Sequence, residues 1–168
     1  MDRYRSVGPL DSDQEQYSMI HRKLEGGSFQ GEDGLPDQLG YCKDNNIAVL
    51  AYSPLVLGLL TGKVGPERTF PASDLRSKQK RFSQPNRQKI ADLLAQFQPI
   101  ADKHACTMAQ LVIAWTVSQP GLTHALVGAR TPQQAIDNAG AGSITLDAED
   151  LGLMNSLVRS DATVLDLS

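Results

Sequence analysis

Two short stretches of this sequence combine residue types that can bind an anion. The first is YSPLVLGLLTGK, residues 52–63, which directly follows the apolar run IAVLA. The Ser53 hydroxyl, backbone N–H groups and the Lys63 ammonium group can all bond to phosphate oxygens. Glycines in such a loop let the backbone approach a ligand closely. The stretch is therefore a candidate phosphate-binding loop.

The second stretch is VGARTPQQAIDN, residues 127–138, which follows another apolar run. Thr131 as the cap, Pro132 as the first helical residue and Gln134 as the third predict the start of a helix. The N-terminus of a helix carries a positive partial charge that suits an anion. Gly128 and Arg130 come just before this helix, so the arginine is a candidate phosphate clamp.

Each of these features also has a simpler explanation. Ser53-Pro54 could form only a turn, Lys63 and Arg130 could be ordinary exposed residues, and the capping box could account for Gln134 entirely. The anion-binding interpretation is favoured by position, because both stretches follow apolar segments that are predicted to be strands. In α/β folds, ligand-binding groups collect at the carboxyl ends of parallel strands.

Composition limits the class of protein. The chain has 168 residues, enough for one domain with a sizeable core, with 40% hydrophobic residues and a formal net charge of −3. The one basic cluster, RSKQKR at 76–81, is short, so no nucleic-acid partner is expected. Cys42 and Cys106 lie outside any metal-binding spacing, which predicts free thiols and no metal site. With no apolar leader and no membrane-spanning segment, we expect a cytoplasmic protein.

The hydrophobic pattern alternates between strands and helices and predicts an α/β class with parallel strands. Pro99 predicts a kink or an early break in one helix, and glycine-rich GGSFQGEDG (26–34) is expected to be a flexible surface insertion. The predicted strands are residues 7–10, 47–51 (covered on both faces) and 125–127. The predicted helices are residues 35–46 (ended by Asn45-Asn46), 86–104, one begun by a Thr107–Gln110 capping box, one begun at Thr131, and 147–158.

The two candidate loops together resemble the aldo-keto reductases, particularly the branch akin to voltage-gated potassium channel β subunits. DSDQEQYSMIHR (11–22) is similar to the sixth strand of that family and its exit, and AQLVIAWTVSQPG (109–121) to its seventh helix. The resemblance runs through most of the chain from about Gly8, apart from the 26–34 insertion. It implies a TIM barrel fold and the NADPH-dependent reduction of aldehydes and ketones, with a small carbonyl compound as the substrate.

The resemblance also implies a set of cofactor-binding residues. Gln14 matches the glutamine that bonds the nicotinamide carboxamide, and Tyr52 matches the aromatic residue stacked on the nicotinamide ring. Arg130 favours NADPH over NADH, because a guanidinium group fits a phosphate bidentately. The loop over the pyrophosphate corresponds to Ser53, Pro54, Leu55, Leu57 and Lys63. The positions that hold the adenosine 2′-phosphate and adenine correspond to Gly128, Arg130, Gln134, Asp137 and Asn138.

The chain departs from the family in one major respect. A TIM barrel has eight strands and typically ~250 residues, whereas the three strands here resemble the sixth, seventh and eighth. We therefore expect one domain, residues 1–168, that forms a parallel-stranded portion of a (β/α)8 barrel lacking the N-terminal strands. The catalytic Asp, Tyr, Lys and His of the family lie in its first half. No catalytic residue is assigned from the tyrosines and histidines considered, which are Tyr4, Tyr17, Tyr41, His21, His104 and His124.

Three interpretations of the whole chain remain open. It could be the cofactor-binding portion of a reductase that is completed by the missing strands. It could be a non-catalytic NADP(H)-binding or structural remnant. It could also be a half-barrel that closes as an oligomer, since a partial sheet leaves strand edges to be covered.

Overall fold

The computed structural model describes residues 1–26 and 36–162, and the side chains only as far as residue 159. The chain forms two compact units. The first contains residues 1–54 and 116–127, and the second contains residues 55–115 and the chain from Gly128 onward. All but the first residue of the predicted 26–34 insertion lies outside the described residues.

The first unit contains a sheet of three parallel strands in the order β1, β2, β3. The register places Gln14 opposite Leu50 and Leu50 opposite His124. Parallel neighbouring strands were expected here, and the register confirms them. The elements of this unit are α1 (Asp2–Arg5), β1 (Ser12–Gln16), a short 3-10 turn (Lys23–Glu25), α2 (Gln38–Asp44), β2 (Ala48–Tyr52) and β3 (His124–Leu126).

The prediction of a first strand at residues 7–10 is wrong. The strand begins five residues later, at Ser12, and its sequence SDQEQ contains no apolar residue. Main-chain hydrogen bonds to β2 determine the position of this strand. The first of them joins the N–H of Ala48 to the carbonyl of Asp11, just before the strand, at 2.9 Å. A strand without apolar residues leaves no hydrophobic period in the sequence, so only the family resemblance at DSDQEQ located it.

The turn from α2 into β2 is fixed by local side chains. Asp37 caps α2 by accepting a hydrogen bond from the N–H of Gly40 at 2.8 Å, so the helix begins at Gln38. Asn45 ends the helix, and Asn46 takes the left-handed conformation (φ 54°) that asparagine tolerates better than most residues. The end of the helix at the asparagine pair is confirmed, and β2 lies within one residue of its predicted position.

The two faces of β2 differ in burial. Val49 and Ala51 are buried, whereas Leu50 is half-buried and Tyr52 is 39% exposed. The prediction that both faces are covered is therefore wrong. An apolar run fits a strand of a closed barrel as well as it fits a doubly covered sheet. In a part of a barrel, the side chains that point to the open face stay accessible.

The second unit is built mainly from helices. These are α3 (Gln84–Lys103), α4 (Met108–Val117, whose last two residues belong to the first unit), α5 (Pro132–Gly140) and α6 (Ala148–Ala162). Along α3, Ile90, Leu94 and Phe97 are buried at helical spacing, as predicted. An early break at Pro99 is wrong, because the helix continues to Lys103 with Ile100 buried against the core.

The last helix begins where it was predicted to begin. The carboxylate of Asp147 accepts a hydrogen bond from the N–H of Asp150 at 2.9 Å, and α6 continues to Ala162, four residues beyond the predicted end. Within residues 1–26 and 36–162, no helix is both long enough and apolar enough to cross a bilayer.

Candidate functional site

In the first unit, Gln14 and Tyr52 lie on the same face of the sheet. Gln16 is paired in register with Tyr52, and Gln14 lies two residues before Gln16, so all three side chains point to the open face. Gln14 is exposed, and the carbonyl of Tyr52 accepts a hydrogen bond from the N–H of Tyr17 at 3.2 Å. An amide and an aromatic ring are thus presented together near the carboxyl ends of β1 and β2.

Ser53 and Pro54 follow immediately after β2 in the same unit. Ser53 has a left-handed backbone (φ 61°), which is uncommon for a residue other than glycine, asparagine or aspartate. Pro54 is buried, and Ser53 is half-buried. The unusual conformation turns the chain sharply out of the strand, which places the serine at the strand's carboxyl end.

In the second unit, residues 55–63 form a tightly coiled loop. Val56, Leu57, Gly58 and Gly62 all have positive φ, so four residues within seven are left-handed. The Thr61 hydroxyl donates to the carbonyl of Gly58 at 2.7 Å and accepts from the N–H of Lys63 at 3.2 Å. A Cβ added at Gly58 would meet no atom within 4 Å, so the backbone there is open to a ligand.

The predicted site residues of this loop are accessible to different extents. Lys63 is exposed, the side chain of Leu57 is 54% exposed, and Leu55 is half-buried. The ammonium group of Lys63 is therefore accessible to a ligand from solvent. The loop supplies one charge beside a tightly turned backbone, in which the N–H of Gly58 donates to the carbonyl of Leu55 at 3.0 Å.

Arg87 fixes the chain just after Lys63, and the sequence interpretation missed it. This buried arginine of α3 donates to the carbonyls of Gly65 at 3.1 Å and Pro66 at 2.7 Å, and also to that of Phe82. It therefore ties both ends of the 65–82 segment together. The sequence did indicate that Arg87 would be buried, because it lies three residues before Ile90 on the inward face of a predicted helix.

A second arginine orders the same segment. Arg76 forms a bidentate pair with Asp74, whose shortest distance is 2.6 Å, and its guanidinium group lies 4.5 Å from the centroid of the Phe70 ring. Hydrogen bonds from the Arg76 side chain and backbone lower the pKa of Asp74 to about 2. The segment therefore keeps this ion pair at all but strongly acidic pH.

The loop before α5 is folded back onto the helix. The backbone N–H of Arg130 donates to Oε1 of Gln134 at 2.8 Å, and Nδ2 of Asn138 donates to the carbonyl of Gly128 at 3.3 Å. The Thr131 cap is confirmed, since its hydroxyl accepts from the N–H of Gln134 at 3.2 Å. Gln134 itself caps Arg130 rather than Thr131, one residue earlier than a capping box requires.

This arrangement leaves the start of α5 accessible. Arg130 is exposed, and its guanidinium group forms no hydrogen bond or ion pair with the described residues. A Cβ added at Gly128 would meet no atom within 4 Å. Asp137 is exposed and accepts a hydrogen bond from Gln133 at 2.8 Å. An unpaired guanidinium group beside a helix N-terminus and an open glycine is an arrangement that can hold a phosphate.

Tyr17 is unsuited to act as a proton donor. It is fully buried and donates to Glu25, which is also held by Arg22 at 2.6 Å. Burial, followed by the nearby Glu25 carboxylate, raises the pKa of Tyr17 well above its usual value. Its proton is therefore held in an internal network.

The other considered tyrosines and histidines are dispersed. Tyr4 is 73% exposed on α1, and Tyr41 donates to Asp2. Nε2 of His104 lies 2.7 Å from Asp150, and Nδ1 of His124 lies 3.0 Å from the Thr123 hydroxyl. The backbone of His21 pairs with that of Ser18. These residues do not form one catalytic cluster within either unit.

Comparison with known proteins assigns the chain to a family. Residues 4–159 match the Aldo/keto reductase family. The chain belongs to this family, and its three-stranded parallel sheet with helices is part of the family's TIM barrel fold.

Individual relatives have different cofactors in their names. The NADH-specific methylglyoxal reductase of Escherichia coli is 34% identical over 157 residues, covering 94% of this chain and 44% of that protein. An aldo-keto reductase of Schizosaccharomyces pombe, named for NADP(+), is 28% identical over 165 residues, covering 98% and 43%. The solved glycerol dehydrogenase of Gluconobacter oxydans matches with a TM-score of 0.83 and 30% identity, covering 97% and 46%. The chain thus spans less than half the length of these relatives.

Proposed function

We propose that this chain is the C-terminal, cofactor-binding portion of an NADPH-dependent reductase of aldehydes and ketones. In this proposal its strands correspond to strands 6 to 8 of the barrel, in the branch akin to potassium channel β subunits. The observation that carries the proposal is the exposed guanidinium group of Arg130 at the start of α5, which is unpaired within the part of the chain that the structure describes. Its loop is already held by Gln134 and Asn138, so a phosphate would meet a preformed site.

Each predicted residue has a role in this proposal that fits its surroundings. The amide of Gln14 bonds the carboxamide of the nicotinamide, and the ring of Tyr52 stacks on it from the same sheet face. Ser53, Pro54, Leu55, Leu57 and the ammonium group of Lys63 hold the pyrophosphate. Gly128, Arg130, Gln134, Asp137 and Asn138 hold the 2′-phosphate and adenine. The bound cofactor supplies the hydride for the reduction.

Arg130 supports NADP(H) as the cofactor. A guanidinium group can form two charge-assisted hydrogen bonds with a 2′-phosphate, and NAD(H) has no group at that position. The names of the relatives include both cofactors, so the choice depends on this chain's own residues.

Replacing Arg130 tests the proposal directly. Charge-assisted bonds contribute about 1.5–3 kcal/mol, so Arg130→Ala should weaken NADPH binding about tenfold or more and leave NADH binding nearly unchanged. Titration calorimetry with both cofactors measures this. Arg159→Ala is the matched control, because Arg159 is another exposed arginine of the second unit that lies outside the two loops. Equal affinity of the parent chain for NADH and NADPH would contradict the proposal.

A second candidate is a non-catalytic NADP(H)-binding or structural role. It is favoured by the engaged state of Tyr17, Tyr41 and His104, which bond Glu25, Asp2 and Asp150. General acid catalysis requires a proton donor within reach of the carbonyl oxygen. Absorbance at the nicotinamide band with 4-nitrobenzaldehyde distinguishes the two: binding without turnover supports the non-catalytic role, and turnover by the monomeric chain excludes it.

The domain organisation, localisation, substrate and partners of the chain are also proposals. We propose a single cytoplasmic domain over residues 1–168, a small carbonyl compound as the substrate, and no nucleic-acid or membrane partner. Completion of the barrel by a missing N-terminal half or by further copies of the chain belongs to the same proposal. The mass of the purified chain, measured by light scattering, separates a monomer from an assembly.

A further inference from the structure

Gln110 joins the start of α4 to the end of α5 within the second unit. Its Oε1 accepts hydrogen bonds from the backbone N–H of Thr107 at 3.0 Å and from the Thr107 hydroxyl at 3.1 Å. Its Nε2 donates to the main-chain carbonyl of Asp137 at 2.9 Å. The capping box accounts for the bond from the Thr107 N–H, whereas the bond to Asp137 is a contact between helices that the box does not require.

Helix α5 has few other contacts to hold it. It has no buried residue, and Ile136 in its middle is 65% exposed. The N–H groups at its carboxyl end bond to the carbonyls of Asn138 and Ala139, while the Asp137 carbonyl receives Gln110. A helix without a buried apolar face depends strongly on the polar contacts that remain.

Gly140 leaves the space that Gln110 occupies. A Cβ added at Gly140 would lie 2.7 Å from Nε2 of Gln110, which is closer than a carbon and a nitrogen can approach without displacement. The backbone conformation at Gly140 is right-handed (φ −56°), so the glycine is not needed for its φ. Because the contacting atom is the end of a flexible side chain, a Cβ at this position would displace the Gln110 amide rather than the backbone.

The start of α4 also contacts the loop that carries Lys63. The Cβ of Met108 lies 3.6 Å from where a Cβ of Gly62 would be, and Met108 lines a cavity of about 180 Å³ together with Gly62, Val64 and Gly65. The first turn of α4 thus contacts the 55–63 loop through Met108 and α5 through Gln110.

We propose that Gln110 is a positioning residue that sets the place of α5, and with it Arg130 and Asn138, relative to the loop of Lys63. The inference rests on the proposed function, because those two loops are the proposed holders of the cofactor's phosphates. Gln110 acts through the Asp137 carbonyl and touches no ligand. Its bond determines how well the adenosine 2′-phosphate end of the cofactor is held.

Two variants break this bond from opposite sides. Gln110→Glu keeps an oxygen for Thr107 and places a negative charge at a helix N-terminus, but it presents a carboxylate to the Asp137 carbonyl. Gly140→Ala pushes the Gln110 amide away while raising helix propensity. Thr107→Ala is the control, since it removes the hydroxyl that accepts from the Gln110 N–H and donates to its Oε1. The N–H of residue 107 still holds Oε1, so Nε2 can still donate to Asp137.

The measurement is titration calorimetry with adenosine 2′,5′-bisphosphate, alongside the melting temperature. We expect Gln110→Glu and Gly140→Ala to lose about three- to tenfold in affinity, the effect of one hydrogen bond. Thr107→Ala should lower the melting temperature and change affinity by less than about twofold. Affinity that follows melting temperature across all three variants, or that is unchanged in the first two, overturns the inference.

Amide hydrogen exchange separates this inference from the proposed function. If the parent chain binds neither adenosine 2′,5′-bisphosphate nor NADPH, the proposed function fails, and exchange at the α5 amides then decides the positioning role. Faster exchange in α5 with Gln110→Glu and Gly140→Ala, but not with Thr107→Ala, supports the role. Equal exchange in all variants overturns it.

Discussion

Single residues of the first unit show how burial changes ionisation. Tyr17 is completely buried and its hydroxyl donates to Glu25, which two nitrogens of Arg22 hold at 2.6 and 2.8 Å. Burial is the main reason that the pKa of Tyr17 is raised, and the Glu25 carboxylate adds to it. The folded state therefore keeps a proton on Tyr17 that an unfolded chain would release above about pH 10.

The raised pKa predicts a loss of stability in alkali. A group with a raised pKa contributes stability that is complete below its unfolded pKa and is lost as the pH rises towards its folded pKa. We expect the free energy of unfolding to fall above about pH 10, by up to about 1.4 kcal/mol per pH unit from this group. Urea titrations between pH 8 and 11 measure the slope.

Tyr17→Phe and Tyr4→Phe form a matched pair for this test. Tyr17→Phe removes the titrating group, so its stability should decline less steeply above pH 10 than that of the parent chain. Tyr4 is 73% exposed, so Tyr4→Phe should retain the parent slope. The same slope in the parent and in Tyr17→Phe would show that Tyr17 is not the group responsible.

At the scale of elements, ion pairs connect the end of α3 to the start of α6. Lys103 Nζ lies 2.8 Å from Asp147 and 2.9 Å from Asp150, and His104 Nε2 lies 2.7 Å from the second oxygen of Asp150. Burial of Asp150 opposes ionisation, but hydrogen bonds from His104 and Lys103 prevail and lower its pKa. The hydrogen bonds of Lys103 with both carboxylates raise its own pKa.

Asp150→Asn should destabilise the protein at neutral pH. Hydrogen bonds to charged groups contribute about 1.5–3 kcal/mol, and we expect a loss of that order at pH 7. Because the pKa of Asp150 is lowered, its contribution is present above the unfolded value of about 3.9 and is lost as the pH falls through the folded value. The difference between parent and variant should therefore shrink in acid, as urea unfolding at pH 7 and pH 3 would show.

Glu149→Gln provides the control for that prediction. Glu149 lies in the same first turn of α6, where it is exposed. Its replacement should change the free energy of unfolding by less than about 0.5 kcal/mol at either pH. A similar loss for both variants would mean that a general charge effect at the helix N-terminus, rather than the contact with Lys103 and His104, stabilises α6.

Elements with a local signal were predictable from the sequence. The buried stripe of α3, the Thr131 cap and the end of α2 at Asn45 depend on neighbouring residues and were located correctly. The hydrophobic pattern predicted the wrong position for β1, because the five residues of this strand are polar and pair with β2 through the main chain. The helix continues past Pro99 because burial on both sides of the proline outweighs one missing hydrogen bond.

The candidate site was predictable only in part for a similar reason. Arg130 and Gln134 follow from loop and capping chemistry, whereas the contacts of Arg87 and the bond from Gln110 to Asp137 depend on partners distant in sequence. Arg87 bonds carbonyls more than 20 residues away, and Gln110 bonds Asp137 on another helix. No local sequence pattern specifies such partners, so these positioning contacts are visible only in the folded structure.

At the scale of the whole molecule, the open face of the sheet is a surface that a complete barrel would enclose. Tyr52 and Leu126, which are paired in register on this face, are 39% and 38% exposed, and Leu50 on the same face is half-buried. Within the described residues, β1 and β3 each pair with one strand only. Exposed apolar faces and unpaired strand edges favour association with other chains.

We therefore expect the isolated chain to self-associate through this face. Leu126→Lys places a charge on the face and should shift the assembly towards the monomer, because burying an unpaired ammonium group is costly. Sedimentation velocity over a range of concentrations measures the shift, and circular dichroism checks that the variant remains folded. Ile136→Lys is the control, since Ile136 is 65% exposed on α5 and belongs to the second unit, which does not contain the sheet. Assembly through the open face would be excluded by a parent chain that stays monomeric at high concentration, or by an equal response to both lysine substitutions. Completion by a separate N-terminal half would then be the remaining route to a closed barrel.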